Sequence, residues 1–171
     1  DFEKGFIPGS INIGQDGMLA PWVGTLISES SKLIIVCYEN DEEWIVSRLA
    51  RIGYENVIGY THGIAQWNID KMPIDTVKSI YPADIISQVD SAILDVRKQS
   101  ELEKGFVTNS IHISLSNLED DISKLNKSNK YLIYCAGGYR SMIACSILKS
   151  KGYTNVINIY GGFNAISQNM K

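Results

Sequence analysis

The sequence predicts an α/β fold built from two copies of one domain. Each copy is a mainly parallel sheet flanked by helices, and the first lacks its N-terminal elements. An internal repeat is the first observation behind this. Glu3-Lys4-Gly5-Phe6-Ile7-Pro8-Gly9-Ser10-Ile11-Asn12-Ile13 returns 100 residues later as Glu103-Lys104-Gly105-Phe106-Val107-Thr108-Asn109-Ser110-Ile111-His112-Ile113. Arg51-Ile52-Gly53-Tyr54-Glu55-Asn56-Val57-Ile58 returns 99 residues later as Ser150-Lys151-Gly152-Tyr153-Thr154-Asn155-Val156-Ile157. Two matches in the same order at nearly one period mark a duplicated unit. The second observation is the alternation of short apolar runs with helical stretches, the pattern of βα units and a parallel sheet.

The second copy is the easier to follow. Tyr81-Pro82-Ala83-Asp84 opens a short helix through Ile85 and Ile86, with proline at its start. Ala92–Val96 and Ser110–Ile113 read as short strands. Leu118 to Leu125 reads as a helix, since Leu118, Ile122 and Leu125 fall on one face. Tyr131–Tyr134 is a strand, and Ser141 to Lys151 a helix stopped by Gly152. Val156–Ile159 is a strand, followed by Gly161-Gly162 and a last helix. The first copy follows the same order from Asp1 but has no counterpart of 79–100. Its sheet is therefore expected to show unpaired backbone and exposed apolar side chains. Pro73 breaks regular structure between the copies. The expected organisation is an incomplete first copy at 1–72, a linker at 73–78 and a complete copy at 79–171.

Of 171 residues, 44% are hydrophobic and 20% charged, as in a globular protein rather than a disordered one. A net charge of −3 argues against nucleic acid or an anionic membrane as partner. No apolar run approaches the ~20 residues that span a bilayer, and Asp1-Phe2-Glu3-Lys4 has the wrong character for a signal peptide. Lacking an initiator Met, the chain reads as part of something longer. Cys37, Cys135 and Cys145 form no CxxC pair and no zinc pattern, which points to free thiols in a reducing cytoplasm. Cys145, among Ile143, Ala144, Ile147 and Leu148, reads as core. His62 and His112 are too scattered for a metal site and read as surface or packing residues. No metal and no cofactor is expected. Trp22, Trp44 and Trp67 all fall in the first copy.

One segment carries distinctive chemistry. In Tyr131-Leu132-Ile133-Tyr134-Cys135-Ala136-Gly137-Gly138-Tyr139-Arg140-Ser141 a strand runs into a cysteine, a glycine-bearing loop and a helix. Three features there favour the thiolate: the positive end of the helix dipole, successive N–H groups turned inward as an anion nest, and Arg140 as a fixed charge or a brace. Gly137 and Gly138 allow backbone angles that a Cβ would forbid. Cysteine phosphatases close such a loop as C-x5-R. Here Cys135 to Arg140 is C-x4-R, one residue shorter, and suits a persulfide's terminal sulfur better than a tetrahedral phosphate.

Leu94-Asp95-Val96-Arg97, Gly105-Phe106 with Ser110-Ile111, the Cys135–Ser141 loop and Tyr160-Gly161-Gly162-Phe163 together resemble the rhodanese (sulfurtransferase) family. The resemblance covers the whole second copy and, more loosely, the first. It implies two rhodanese-like domains and a cysteine that takes sulfane sulfur from thiosulfate or a low-molecular-weight persulfide. The sulfur then passes, as a cysteine persulfide, to a thiol, sulfite or cyanide. Cys135 would be the nucleophile and carrier, the N–H groups of Ala136, Gly137, Gly138, Tyr139, Arg140 and Ser141 would hold the bound sulfur, and Arg140 would help hold the anionic donor. Asp95 and Arg97 would support the site, either as a structural ion pair or in substrate contact.

In the first copy, Ile34-Ile35-Val36-Cys37-Tyr38-Glu39-Asn40-Asp41-Glu42-Glu43-Trp44 lacks both glycines, and Asp41 or Glu42 replaces the arginine. Its acids oppose a thiolate and repel anionic donors, so the copy is expected to be inactive. An acidic, degenerate repeat before an active one resembles the C-terminal part of fusions with a metallo-β-lactamase-fold persulfide dioxygenase. Pro8-Gly9-Ser10-Ile11-Asn12, Trp22-Val23-Gly24 and Arg48–Tyr54 fit that pattern, which implies an upstream metallo-hydrolase-fold domain. The alternative is a non-catalytic or regulatory module of a larger sulfide- or persulfide-oxidising protein. A phosphatase-like enzyme comes third, disfavoured by loop length.

Overall fold

A computed structural model describes residues 1–169. These form two compact units, one comprising 1–12 with the chain from 75 onward, the other 13–74. The division does not follow the repeat. The opening segment of the first copy packs in the unit that contains the whole second copy.

In that larger unit five strands form a parallel sheet: β3 (Lys78–Ile80), β4 (Ser91–Asp95), β5 (Ile111–His112), β6 (Lys130–Tyr134) and β7 (Val156–Ile159), in spatial order β3-β7-β6-β4-β5. β7 is buried along its whole length and β6 over all but its first residue. That is why neither alternates apolar with exposed polar residues, the one polar side chain of β7, Asn158, being buried too. The helix α4 (Tyr139–Ser150) follows β6, and α5 (Gly162–Asn169) follows β7. α4 buries Ile143, Ala144, Cys145, Ile147 and Leu148, and ends where Gly152 takes φ 88°. The placement of Cys145 in the core agrees with its sequence environment, and burial pushes its thiol pKa up.

One expected element is different. Residues 118–125 form no α-helix; one 3₁₀ turn, Leu115–Asn117, precedes this stretch and another, Ile122–Lys124, lies within it. Leu118 and Leu125 are still buried. An eight-residue helix is marginal by itself, and Asn117, Asp120, Asp121 and Ser123 compete locally for the backbone. The Tyr153 hydroxyl also lies 3.0 Å from the carbonyl oxygens of Ile122 and Leu125, engaging groups at the end of the segment. In the first copy the corresponding stretch is helical, α1 (Leu19–Leu26), and Tyr54 there reaches the carbonyls of Val23 and Ile27 at 3.2 and 2.6 Å.

The segment 1–12 is tied to this larger unit by main-chain bonds. Phe6 exchanges two 2.9 Å hydrogen bonds with Asp75, and the Asn12 N–H donates to Ser146 Oγ at 2.9 Å. Phe6 is buried and stacks on Phe2 with ring centroids 4.1 Å apart.

The smaller unit has a two-stranded parallel sheet, β1 (Leu33–Cys37) with β2 (Val57–His62), plus α1, α2 (Glu42–Ala50) and α3 (Ala65–Ile69). One face of its sheet packs Leu33, Ile35 and Val57 against Leu19, Val23, Ile45, Leu49 and Tyr54. The other face leaves Ile34, Val36, Ile58 and Tyr60 exposed. These are the exposed apolar side chains expected of a copy without the counterparts of β3 and β4.

Candidate active site

The loop between β6 and α4 begins at Cys135, which is 1% exposed. Its Sγ accepts a hydrogen bond from the Gly138 N–H at 3.1 Å. The sulfur therefore sits inside the loop it begins, with a backbone donor aimed at it. Gly138 caps α4 with φ 110°, a left-handed angle that a residue with a Cβ adopts only under strain. The buried Ser141 hydroxyl lies 3.6 Å from Cys135 Sγ, 3.0 Å from the Gly138 carbonyl and 2.7 Å from Asn158 Oδ1.

The outside of the loop is held by the start of α5. The N–H groups of Phe163 and Asn164 donate to the carbonyls of Cys135 and Ala136 at 2.7 and 3.0 Å. Gly162 makes this approach possible. A Cβ there would fall 2.3 Å from the Cys135 carbonyl oxygen and 2.8 Å from the Ala136 carbonyl carbon and oxygen. With its carbonyls engaged on that side, the loop is free to offer N–H groups to the sulfur.

Arg140 forms a two-pronged pair with Glu101, at 2.5 and 2.8 Å. It braces the loop and lies within electrostatic reach of Cys135. The Arg140 guanidinium holds the Glu101 carboxyl at about 2, overcoming burial, which pushes the other way. A depressed folded value means that this pairing supports stability above the ordinary carboxylate range and loses it on protonation. Stability is expected to fall as pH drops from about 4.5 towards about 2, and Glu101→Gln to flatten that part of the profile. Acid titration of unfolding midpoints for the two proteins checks this.

Asp95, at the end of β4, and Arg97 are both buried and lie at the C-terminal end of the sheet. The Arg97 Nε donates to both Asp95 oxygens at 3.0 Å, and one terminal nitrogen to Oδ2 at 2.6 Å. The same nitrogen reaches the Gly105 carbonyl at 2.9 Å. The guanidinium lies 4.1 Å from the Phe163 ring centroid and 5.4 Å from that of Tyr134. Arg97 thus grips the first turn of α5, whose N–H groups hold the cysteine loop. Its carbonyl in turn contacts His112 Nε2 at 2.8 Å, which makes His112 a packing partner.

Sequence reasoning missed Glu101, Asn158 and the closeness of Gly162 to the loop. Asn158 links Ser141 to Ser79, and Ser79 donates to Glu3, which also accepts from Tyr160. It also left His62 without a ligand-like neighbour, and that expectation is overturned. Cys37 Sγ, a Glu42 carboxylate oxygen and a His62 ring nitrogen lie within 4.8 Å of one another. Parallel pairing of β1 with β2 sets Cys37 opposite His62, a register that linear spacing does not reveal. Burial, then Glu42 and Asp41, raise the Cys37 thiol pKa, the reverse of what a nucleophile needs.

The sequence pattern of the rhodanese-like domain matches residues 1–70 and 82–169. The chain is 30% identical over 80 residues to a thiosulfate sulfurtransferase, GlpE, of Coxiella burnetii, covering 47% of this chain and 75% of that protein. It is 30% identical over 76 residues to a sulfurtransferase of Allochromatium vinosum, covering 44% of this chain and 71% of that protein. Among solved structures, a rhodanese-related protein from Thermoplasma volcanium is similar at TM-score 0.51 and 33% identity, over 54% of this chain and 92% of that one.

Proposed function

The chain belongs to the rhodanese-like domain family, and on that premise we propose that its larger unit moves sulfane sulfur from thiosulfate or a small persulfide to a thiol, sulfite or cyanide through a persulfide on Cys135. The observation that carries this reading is the 3.1 Å hydrogen bond from the Gly138 N–H to Cys135 Sγ, inside a loop too short for C-x5-R chemistry.

With thiosulfate, the Cys135 thiolate attacks the outer sulfur. The S–S bond of the donor breaks and sulfite leaves with the bonding pair. The transferred sulfur becomes the anionic end of a cysteine persulfide, for which the Gly138 N–H is a backbone donor already aimed at the sulfur. An acceptor thiolate, sulfite or cyanide then attacks that sulfur and takes it away as a persulfide, thiosulfate or thiocyanate, and the Cys135 thiolate is restored. Neither step needs an outside oxidant or reductant. Arg140, Asp95 and Arg97 act as positioning residues in this reading: Arg140 braces the loop through Glu101, and the Asp95–Arg97 pair acts through Phe163. Incubation with thiosulfate is expected to add the mass of one sulfur atom to the peptide containing Cys135, and a thiol to remove it. No adduct, or an adduct on Cys37 alone, would sink the proposal.

One observation favours a non-catalytic module instead: Cys135 is almost fully covered and the charge of Arg140 is engaged by Glu101. That reading forms no adduct at Cys135. The acidic loop of the smaller unit and the first repeat's Pro8–Asn12 and Trp22–Gly24 motifs also support a place beside a persulfide-oxidising metallo-β-lactamase-fold domain. Sequencing the gene upstream of Asp1 tests that part separately.

A further inference from the structure

The two cysteine loops share a backbone plan and have opposite polarity. Three residues after Cys37, Asn40 takes φ 74°, as Gly138 takes φ 110° three residues after Cys135. Asparagine is among the few residues with a Cβ that tolerate this angle. Five residues after each cysteine the sequence places Glu42 in one copy and Arg140 in the other. The smaller unit thus keeps the left-handed turn at this position of the loop while placing a carboxylate where the other copy has its cation.

Three elements bring metal-binding side chains together at this loop. Cys37 ends β1, His62 ends β2 directly opposite it, and Glu42 is the first residue of α2. His62 Nε2 lies 3.6 Å from Glu42 Oε2, too long for a hydrogen bond. That oxygen is buried and has no hydrogen-bond partner. A carboxylate oxygen withdrawn from water without a donor is costly unless a cation or a donor faces it.

We propose that Cys37, Glu42 and His62 form a site for a zinc ion. Sulfur, imidazole and carboxylate together suit a borderline divalent metal and not the oxygen-seeking Mg²⁺ or Ca²⁺. Tetrahedral Zn²⁺ with ordinary bond lengths needs ligand atoms roughly 3.3–3.6 Å apart. The observed span of up to 4.8 Å closes to that with small rotations of His62 and Glu42, both partly solvent-exposed. Binding replaces the thiol proton, which is released to solvent, by a Zn–S bond. Three protein ligands leave the fourth position to water. The ion ties together β1, β2 and α2 in a unit whose sheet has only two strands.

Co²⁺ titration of the full chain carrying Cys135→Ser tests the site, since Co²⁺ takes the same geometry and reports its ligands by absorption. One saturable equivalent is expected, with a thiolate-to-cobalt charge-transfer band and the strong visible bands of a tetrahedral ion, both discharged by one equivalent of Zn²⁺. Adding Cys37→Ser removes the charge-transfer band. His62→Ala and Glu42→Gln, at partly exposed side chains that do not threaten folding, each weaken binding at least about tenfold. The absence of a charge-transfer band, or unchanged binding in His62→Ala and Glu42→Gln, overturns the proposal.

Discussion

Cys135→Ser is expected to lose sulfur-transfer turnover by at least about a thousandfold while keeping its fold. A serine hydroxyl fits the same space and can still accept from the Gly138 N–H, so the loop has no reason to rearrange. It cannot carry sulfane sulfur. Because the nucleophile acts only as the S–S bond exchanges, kcat and kcat/KM should fall together. Thiocyanate formed from thiosulfate and cyanide measures the turnover. Survival of most of the activity would mean that another group carries the sulfur.

The second large effect is on stability. Arg97→Ala is expected to cost roughly 3–5 kcal/mol, because it leaves the Asp95 carboxylate buried with no countercharge. The magnitude depends on burial: Asp95 is 0% and Arg97 2% exposed. Removing the Lys151–Glu119 pair, whose side chains are 49% and 43% exposed, should cost under about 1 kcal/mol. Arg97→Lys should rescue little, since an ammonium cannot reproduce the two-pronged contact with Asp95 or the stacking on Phe163. All three tryptophans lie in 13–74, so tryptophan emission follows the other unit. Amide hydrogen exchange in β4 and β6 follows this one. A loss of protection no larger than that from the Lys151–Glu119 change would show that the buried pair does not hold the fold.

Much of this architecture was legible because its signals are local. Val156–Ile159 is a strand over those same residues, since three β-branched positions around one buried asparagine leave little room for another reading. The Cys135 loop was legible because its glycines are adjacent. What escaped depends on register. Glu101 meets Arg140 from 39 residues away, and Asn158 meets Ser141 across the gap between strand and helix. Cys37 faces His62 only because β1 and β2 pair in parallel. The helix expected at 118–125 failed for a related reason: one face of leucines and isoleucine served two short turns as well as it would have served a helix, and a tyrosine from a later strand connection took its carbonyls.

Residues 1–12 belong to the first repeat by sequence and to the larger unit by packing. Glu3 accepts from Ser79 and Tyr160, Asp75 pairs with Phe6, and Asn12 reaches Ser146. A protein severed at 73–78 would strip the larger unit of these partners, although a cut there follows the repeat. The segment that is repeated in the sequence and the segment that packs as one unit are therefore out of phase. Recombination that exchanged one repeat for a relative's would also exchange part of its neighbour, so the pair can be inherited intact more readily than it can be shuffled.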